Sequence, residues 1–339
     1  MIPFPWHREI LTRLLADRER LPHALLVQGS QGIGKTEFAR ALAAGALCEN
    51  PRQGLACGEC VSCHWFSQGN HPDYREVVPE AAADDDGEES DAPAAKAEKA
   101  KSLFIKIEQI RDVADFVSLT THRAGYRVLV IRPAETLLPA AANALLKTLE
   151  EPPAHTVIVL VSDRPARLLP TIRSRCRVLA LPKPPHAEAL AWLRGEGVPA
   201  PQEALAAAGG APLLARDLAQ PEEAELRRRI VAELSRPGGA DPVLFASAID
   251  RAGVERFIYW MQTWVYDLLS VRLSGNPRHH TEASAALRAR AKAASVEALF
   301  ELDRELMEAR RLASHPLNPR LLAEHLLMTY NRATLEATR

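Results

Sequence analysis

The chain has 339 residues, of which 47% are hydrophobic and 25% are charged, and its formal net charge is −1. This length exceeds that of one typical domain, so we expect two or three domains. A net charge this close to zero argues against a protein that grips DNA through its overall field, because phosphate contacts need concentrated Lys and Arg.

The sequence also argues against a secreted or membrane-bound protein. No apolar run approaches the length needed to cross a bilayer, and the first residues lack a basic segment followed by an apolar stretch. The five cysteines of such a chain favour metal binding or free thiols over disulfides. We therefore expect a cytoplasmic protein.

The first 160 or so residues alternate between helical and strand-like patterns, beginning with an amphipathic helix over residues 7–21. The strand-like runs are Ala24–Gln28, Tyr74–Val78, Arg127–Ile131 and Thr156–Val161. The helical patterns between them are Thr36–Leu47, Ile107–Leu119 and Pro139–Glu151. Alternation of this kind predicts a parallel sheet covered by helices.

Residues 80–101 differ sharply from this pattern. They are rich in Ala, Asp, Glu and Lys and contain no large apolar residue. Such a segment cannot bury enough surface to offset its chain entropy, so we expect a disordered surface loop. We interpret its acidic run as a solvating charge run rather than a metal site.

Strand-like patterns stop near Leu181, where several prolines mark a boundary. Residues 182–220 predict small helices, and everything from residue 221 to residue 339 predicts helix. Apolar residues recur there at three- and four-residue steps, which is typical of a helix that faces a core or a subunit interface. That stripe consists of Phe257, Trp260, Met261, Trp264, Val265, Leu268 and Leu269.

A phosphate-loop pattern lies between the first predicted strand and the helix after it. The glycines of such a loop let backbone N–H groups point at phosphate oxygens, the lysine reaches the β and γ phosphates, and the hydroxyl of the last residue can bind Mg²⁺. The residues that we expect to contact nucleotide are Gly29, Gly32, Gly34, Lys35 and Thr36. The pattern predicts binding of ATP or ADP with Mg²⁺, and it leaves open a loop that keeps its shape without turning nucleotide over.

Four of the cysteines have the spacing of a zinc site. The pattern C-x8-C-x2-C-x2-C is formed by Cys48, Cys57, Cys60 and Cys63. Tetrahedral Zn²⁺ takes such a set, and four protein ligands leave no open position for catalysis. We therefore predict a structural zinc in a module of about residues 48–72, with four metal-free thiols as the alternative. We expect His64 and His71 to be surface residues, and Cys176 stands apart from the cluster.

Three further motifs carry a family resemblance. They are the runs Asn143–Pro153, Ser174-Arg175-Cys176 and His71-Pro72-Asp73-Tyr74. Together with the phosphate loop and the cysteine module, they resemble the subunits of bacterial DNA polymerase III clamp loaders. The match runs over residues 6–181, and weaker similarity at residues 209–212 and 317–322 extends it toward the end of the chain.

The resemblance implies a chain of three parts. An α/β P-loop domain of the AAA+-like type, with a parallel sheet and the inserted zinc module, spans residues 1–181. A small helical lid follows over residues 182–220, and an all-α collar domain used for assembly spans residues 221–339. The implied partners are gamma/tau-type and delta-type subunits in a hetero-pentamer, with the sliding clamp and primed DNA reached through that complex.

Within the family, the chain is more similar to the delta-prime type than to the gamma/tau-type motors. A hydrolysing member needs two carboxylates after the strand Arg127–Ile131, one to help hold Mg²⁺ and one to polarise water. Arg132 and Pro133 occupy those positions, and Pro212 occupies the place of a lid arginine. We therefore expect no polymerase activity and little or no intrinsic ATPase activity. An ATP-hydrolysing motor that uses Glu135 is the alternative.

The resemblance also makes Arg175 an arginine finger. Such a residue stabilises the charge that develops on a γ-phosphate during transfer. In a chain that does not hydrolyse ATP, it is useful only to a neighbouring subunit, so we expect Arg175 to act in trans. The alternative is that Arg175 pairs with a carboxylate of its own domain.

Two other classes of function compete with this interpretation, a P-loop kinase and a zinc-dependent DNA-binding module. The sequence has no second cluster of acidic residues and arginine that suggests a phosphoryl acceptor site. The segment Gly54–Cys60 carries no Lys or Arg for phosphate contacts. Both classes are therefore less favoured than a clamp-loader subunit.

Overall fold

The computed structural model describes residues 3–82, 101–118, 125–249, 253–312 and 318–335. The chain divides into two compact units, unit 1 from Met1 to Pro185 and unit 2 from His186 to Arg339. The loop predicted over residues 80–101 lies outside the described residues except for its ends at 80–82 and 101. Among the described residues, no helix is long and apolar enough to cross a membrane.

Unit 1 alternates between strands and helices. The strands are β1 (Ala24–Gln28), β2 (Tyr74–Val77), β3 (Arg127–Ile131), β4 (Thr156–Ser162) and β5 (Arg177–Ala180). The helices are α1 (Pro5–Leu15), α2 (Lys35–Leu47), α3 (Val61–Ser67), α4 (Ile107–Ser118), α5 (Pro139–Glu150) and α6 (Pro170–Arg173). The predicted α/β class of this part of the chain is confirmed.

The strands form one parallel sheet in the order β2-β3-β4-β1-β5. Every residue of β3 and β4 is buried. Because successive side chains of a strand point to opposite faces, both faces of the sheet are covered at its centre. The carboxyl ends of parallel strands lie at one edge of the sheet, so the segments that follow β1, β3 and β4 are brought together there.

Four elements of unit 1 differ from the predictions. The first helix was predicted over residues 7–21 but ends at Leu15. Arg18, three residues later, donates hydrogen bonds to the carbonyls of Gly45, Ala46 and Cys48 at 3.1, 3.0 and 2.8 Å and so caps the C-terminal end of α2. The short helices α3 and α6 and the strand β5 were not predicted. Most of β5 is exposed, so it lacks the apolar pattern of the other strands.

The described residues of unit 2 form helices joined by turns and loops, and none of them forms a strand. Its helices are α7 (His186–Gly195), α8 (Pro201–Ala207), α9 (Pro212–Leu218), α10 (Pro221–Leu234), α11 (Pro242–Ala246), α12 (Val254–Ser274), α13 (Ser284–Ala293), α14 (Val296–Leu312) and α15 (Pro319–Leu335). The apolar stripe predicted near residue 260 is the core-facing side of α12, where Trp260 and Trp264 are fully buried. The division of the helical part into a lid and a collar stays a prediction.

Candidate functional site

The phosphate loop has a backbone that only glycine adopts easily. Gly32 and Gly34 have φ angles of 76° and 90°, in the left-handed region that favours glycine. A Cβ on Gly29 would lie 2.8 Å from the carbonyl oxygen of Leu181, so that position is closed to any side chain. The helix α2 begins at Lys35, directly after the loop, and Thr36 follows in its first turn. This is the geometry that presents backbone N–H groups to an anion.

Aromatic side chains from the first residues of the chain support the loop. A Cβ on Gly34 would lie 2.7 Å from the Phe4 ring and 3.1 Å from the His7 ring. The indole of Trp6 donates a hydrogen bond to the Ile33 carbonyl at 3.0 Å. His7 is buried, and its burial together with the charge of Lys35 lowers the pKa of its imidazole to about 4. This support was not predicted, although three aromatic residues within residues 4–7 are a visible signal in the sequence.

Lys35 is buried to 5% exposure and is engaged by groups of its own domain. Its ammonium donates a hydrogen bond to the Ser30 carbonyl at 2.5 Å and forms an ion pair with Asp163, the residue after β4. Asp163 had not been singled out in the sequence. Its contact joins the phosphate loop to the end of a strand that the sequence predicted.

The position that a metal-holding carboxylate would take is occupied by an arginine with another partner. Arg132, after β3, pairs with Glu76 of β2. Glu76 also accepts hydrogen bonds from Arg40 at 3.0 and 3.1 Å and from the Tyr74 hydroxyl at 2.7 Å. Burial raises the pKa of the Glu76 carboxyl, but these donors outweigh it and hold that pKa below its usual value. Neither Arg132 nor Pro133 offers a ligand to Mg²⁺.

After Arg132 and Pro133, the next carboxylate along the chain is that of Glu135, and it accepts hydrogen bonds from backbone N–H groups. Its Oε1 accepts hydrogen bonds from the N–H groups of Asp163 and Arg164, both at 3.1 Å. The side chain therefore holds the turn that follows β4. This use of Glu135 differs from the polarisation of an attacking water.

The structure brings the four predicted zinc ligands together at the other end of α2. The Sγ atoms of Cys48, Cys57, Cys60 and Cys63 all lie within 4.8 Å of one another. Cys48 follows the last residue of α2, and Cys60 caps the N-terminus of α3. The Sγ–Sγ distances of Cys48 to Cys60 and of Cys57 to Cys63 are both 3.9 Å. A tetrahedral zinc with Zn–S bonds of about 2.3 Å has edges of roughly 3.8 Å, so these thiols fit the ion.

Backbone amides surround the sulfur atoms of the cluster. Cys57 Sγ accepts hydrogen bonds from the N–H groups of Glu59 and Cys60 at 3.4 and 3.3 Å. These two bonds are the largest of the effects that lower the pKa of the Cys57 thiol to about 6. Cys60 Sγ accepts from the Cys63 N–H at 3.4 Å. N–H donors of this kind stabilise thiolates, which are the form that binds metal.

The two histidines near the cluster differ from each other. His64 is exposed as predicted, but the prediction that His71 is a surface residue is wrong. His71 is buried to 4% exposure, its Nδ1 accepts from the Asp73 N–H at 3.0 Å, and its Nε2 lies 2.9 Å from the Ser62 hydroxyl. Both ring nitrogens are thus used in packing the module. Sequence spacing gave no sign of this because the partners are set by the fold.

Arg175 forms an ion pair within its own domain. Its guanidinium lies 2.5 Å from a Glu150 carboxylate oxygen and donates to the Thr171 carbonyl at 3.0 Å. The side chain of Arg175 keeps 35% exposure, and that of Glu150 keeps 48%. In unit 2, Pro212 is the first residue of α9, so no lid arginine occupies that position. Cys176, beside Arg175, is buried and separate from the cysteine cluster.

Comparison with known proteins covers most of the chain. The family model described as DNA polymerase III, delta subunit matches residues 8–185, and the model described as DNA polymerase III, delta subunit, C terminal matches residues 221–331. The DNA polymerase III subunit delta' of Pseudomonas aeruginosa is 36% identical over 279 residues, which cover 80% of this chain and 78% of that protein.

Two further matches cover less of the chain or have a lower sequence identity. The DNA polymerase III subunit tau of Escherichia coli is 36% identical over 157 residues, or 46% of this chain and 21% of that protein. The solved structure of a gamma subunit-related protein of DNA polymerase III from Thermotoga maritima is 18% identical, with a TM-score of 0.46 and coverage of 96% of this chain and 99% of that one. The similarity to tau is confined to less than half of the chain, whereas the similarity to delta' extends over both units.

Proposed function

Because the chain belongs to the delta-prime family of DNA polymerase III clamp-loader subunits, we propose that it works as a non-motor subunit of a clamp loader. In this role it assembles with gamma/tau-type and delta-type subunits into a hetero-pentamer and helps to place a sliding clamp on primed DNA. We assign assembly to the collar, residues 221–339, and a lid to residues 182–220. The chain itself polymerises nothing.

The observation that carries the non-motor role is the ion pair between Arg132 and Glu76. Hydrolysis of a bound nucleotide needs a carboxylate that helps hold Mg²⁺ and a group that positions water. Arg132 brings a cation to the first position, and the apolar ring of Pro133 has no polar group to position water at the second. The motor alternative needs Glu135 as the second group, yet Glu135 Oε1 already accepts two backbone hydrogen bonds.

Nucleotide binding itself is part of the proposal. The loop residues Gly29, Gly32 and Gly34, with Lys35 and Thr36, keep the groups that bind the phosphates of ATP or ADP and a Mg²⁺ ion. The cysteine module would hold a Zn²⁺ ion that supplies folding energy and takes no part in chemistry. A subunit of this kind uses nucleotide as a structural ligand.

We further propose that Arg175 acts on the nucleotide of a neighbouring subunit. Its ion pair with Glu150 joins two side chains that are each at least one-third exposed. Exposed pairs of this kind contribute only about 0–1 kcal/mol, so a γ-phosphate with a higher charge can draw the guanidinium away. The pair with Glu150 is then the resting position of the side chain.

The test is Arg175→Ala in a clamp loader reconstituted from purified subunits. We expect assembly and zinc content to stay unchanged while DNA-stimulated ATPase and clamp loading fall at least about tenfold, because arginine fingers contribute about 10³ to 10⁵ in rate elsewhere. Arg173→Ala, an exposed arginine of the same segment, is the matched control. Glu150→Gln removes only the resting partner and should leave loading intact.

Two results would contradict the proposal. Unchanged ATPase and loading in an assembled complex with Arg175→Ala would make Arg175 a structural residue. Turnover of ATP by the isolated chain at the rate of a motor subunit, abolished by Lys35→Ala, would establish the motor alternative instead.

A further inference from the structure

An anionic side chain of the protein itself lies on the lysine of the phosphate loop. The carboxylate of Asp163 pairs with the Lys35 ammonium, and Lys35 is almost fully buried while Asp163 keeps 35% exposure. Lys35 is the residue of a phosphate loop that reaches the terminal phosphates of a nucleotide. The carboxylate of Asp163 therefore takes a position on Lys35 that a phosphate oxygen would otherwise occupy.

The turn that carries Asp163 is held in place by its neighbours. Glu135 Oε1 accepts the backbone N–H groups of Asp163 and Arg164, both at 3.1 Å. The hydroxyl of the buried Ser162 accepts the Arg164 N–H at 3.1 Å as well. Because these bonds fix the backbone on both sides of the Cα atom, the carboxylate is presented to Lys35 and is not a freely moving surface charge.

We propose that Asp163 is a specificity-determining residue of the phosphate site. A nucleotide binds by displacing the Asp163 carboxylate from Lys35, and the carboxylate then lies close to the terminal phosphates that replace it. The carboxylate and the phosphates are both negative, so they repel each other at close range. The cost in binding free energy therefore grows with each phosphate added at that end of the nucleotide. The site thus favours a nucleoside diphosphate over a triphosphate. This inference rests on the proposed retention of nucleotide binding by the loop.

The experiment is a calorimetric titration of the purified full chain with Mg-ATP and with Mg-ADP. Asp163→Asn removes the charge and keeps the size, so we expect affinity for ATP to rise at least about fivefold and affinity for ADP to rise less. Asp163→Ser should give the same order of gains. Lys35→Ala combined with Asp163→Asn should abolish the gain. Asp217→Asn, which removes one charge from an exposed pair with Arg216, is the control for net charge.

Several outcomes would overturn the role of Asp163. They are unchanged or weaker binding by Asp163→Asn, an equal gain for ATP and ADP, a gain that persists without Lys35, and an absence of binding in both the wild type and Asp163→Asn. Assembly with clamp-loader partners is measured on the same proteins. Failed assembly with the expected affinities would reject the proposed function alone, and normal assembly with unchanged affinities would reject only the role of Asp163.

Discussion

The two ends of helix α2 each carry a recognisable motif, and the two motifs differ in how complete their surroundings are. At its start, the phosphate loop keeps all of its glycines, Lys35 and Thr36, but the groups around the loop are turned to other partners. At its end, Cys48 joins three more thiols whose mutual distances fit a tetrahedral ion. One end has a complete ligand set, and the other has a complete loop in altered surroundings.

The difference between the two ends follows from where their parts come from. Three of the four thiols lie within seven consecutive residues, so local spacing almost determines the site. A hydrolytic site needs residues from the ends of β1, β3 and β4, and a change at any of these ends alters its chemistry. A motif in one segment therefore predicts binding better than it predicts turnover.

Removal of one thiol should produce the largest effect. We expect this effect to be confined to the cysteine module at the C-terminal end of α2. With Cys60→Ala we expect zinc to fall from a single tightly held ion per chain to almost none, since three ligands bind far more weakly. Residues 48–72 should loosen, with a loss of several kcal/mol in the stability of unit 1, and unit 2 should stay folded. Metal analysis and hydrogen exchange measure both effects.

The control for this variant is Cys176→Ala, which removes a buried thiol outside the cluster and should leave zinc content unchanged. Nucleotide affinity of Cys60→Ala should stay within a few-fold of the wild type if the ends of α2 are independent. Substoichiometric zinc in freshly prepared wild-type protein would refute the metal site.

Arg132→Gln should have the next largest effect, at the N-terminal end of α2. The pKa of Glu76 is lowered in the folded state, so its ion pairs stabilise the fold above the ordinary carboxyl pKa of 4.5 and lose that effect as the pH falls through the lowered value. We expect a loss of about 2–3 kcal/mol at neutral pH, measured by urea unfolding, that shrinks in acid. Glu76→Gln, which removes the other partner of the pair, should show the same pH dependence, with a loss at neutral pH that shrinks in acid. A loss that stays constant down to acid pH would show that Arg132 acts through packing.

His7→Phe should have the smallest effect on folding stability. It tests the support of the phosphate loop, at the N-terminal end of α2. The pKa of His7 is lowered to about 4, so between pH 6.5 and pH 4 the unfolded chain takes up a proton that the folded chain refuses. Stability contributed by neutral His7 is thus present above pH 6.5 and falls toward pH 4, by roughly 1–2 kcal/mol at pH 5. His7→Phe should abolish this loss and keep the ring packing. An unchanged pH profile of unfolding would refute a neutral, buried His7.

The sheet could be predicted almost residue by residue where strands are buried on both faces. Runs such as Val128–Ile131 and Val157–Val161 are continuously apolar, and their bounds were right to within a residue. The strand β5 escaped because its side chains are mostly exposed and its register is fixed by backbone bonds to β1. The helix α3 is short and follows the cysteine loop, so its pattern was too brief to recognise.

The candidate sites were predictable to the extent that their partners are close in sequence. The spacing of residues in the sequence predicted the cysteine cluster and the glycine loop. It did not predict the partners of Lys35, Arg132 and His71. Asp163 lies 128 positions from Lys35, a separation that only the order of strands in the sheet can close. Such contacts depend on the fold as a whole, and sequence motifs do not record them.

The indole of Trp6 is also an intrinsic fluorescent probe of the phosphate loop. Its ring stacks on Phe4 with centroids 4.8 Å apart, and its N–H is bonded to the backbone of the loop. The emission of tryptophan responds to stacking and hydrogen bonding, so a movement of the loop changes the fluorescence of this residue. The fully buried Trp260 and Trp264 of unit 2 supply a steady background. After Trp65 and Trp192 are replaced by phenylalanine, this emission gives a label-free test of the proposed nucleotide binding.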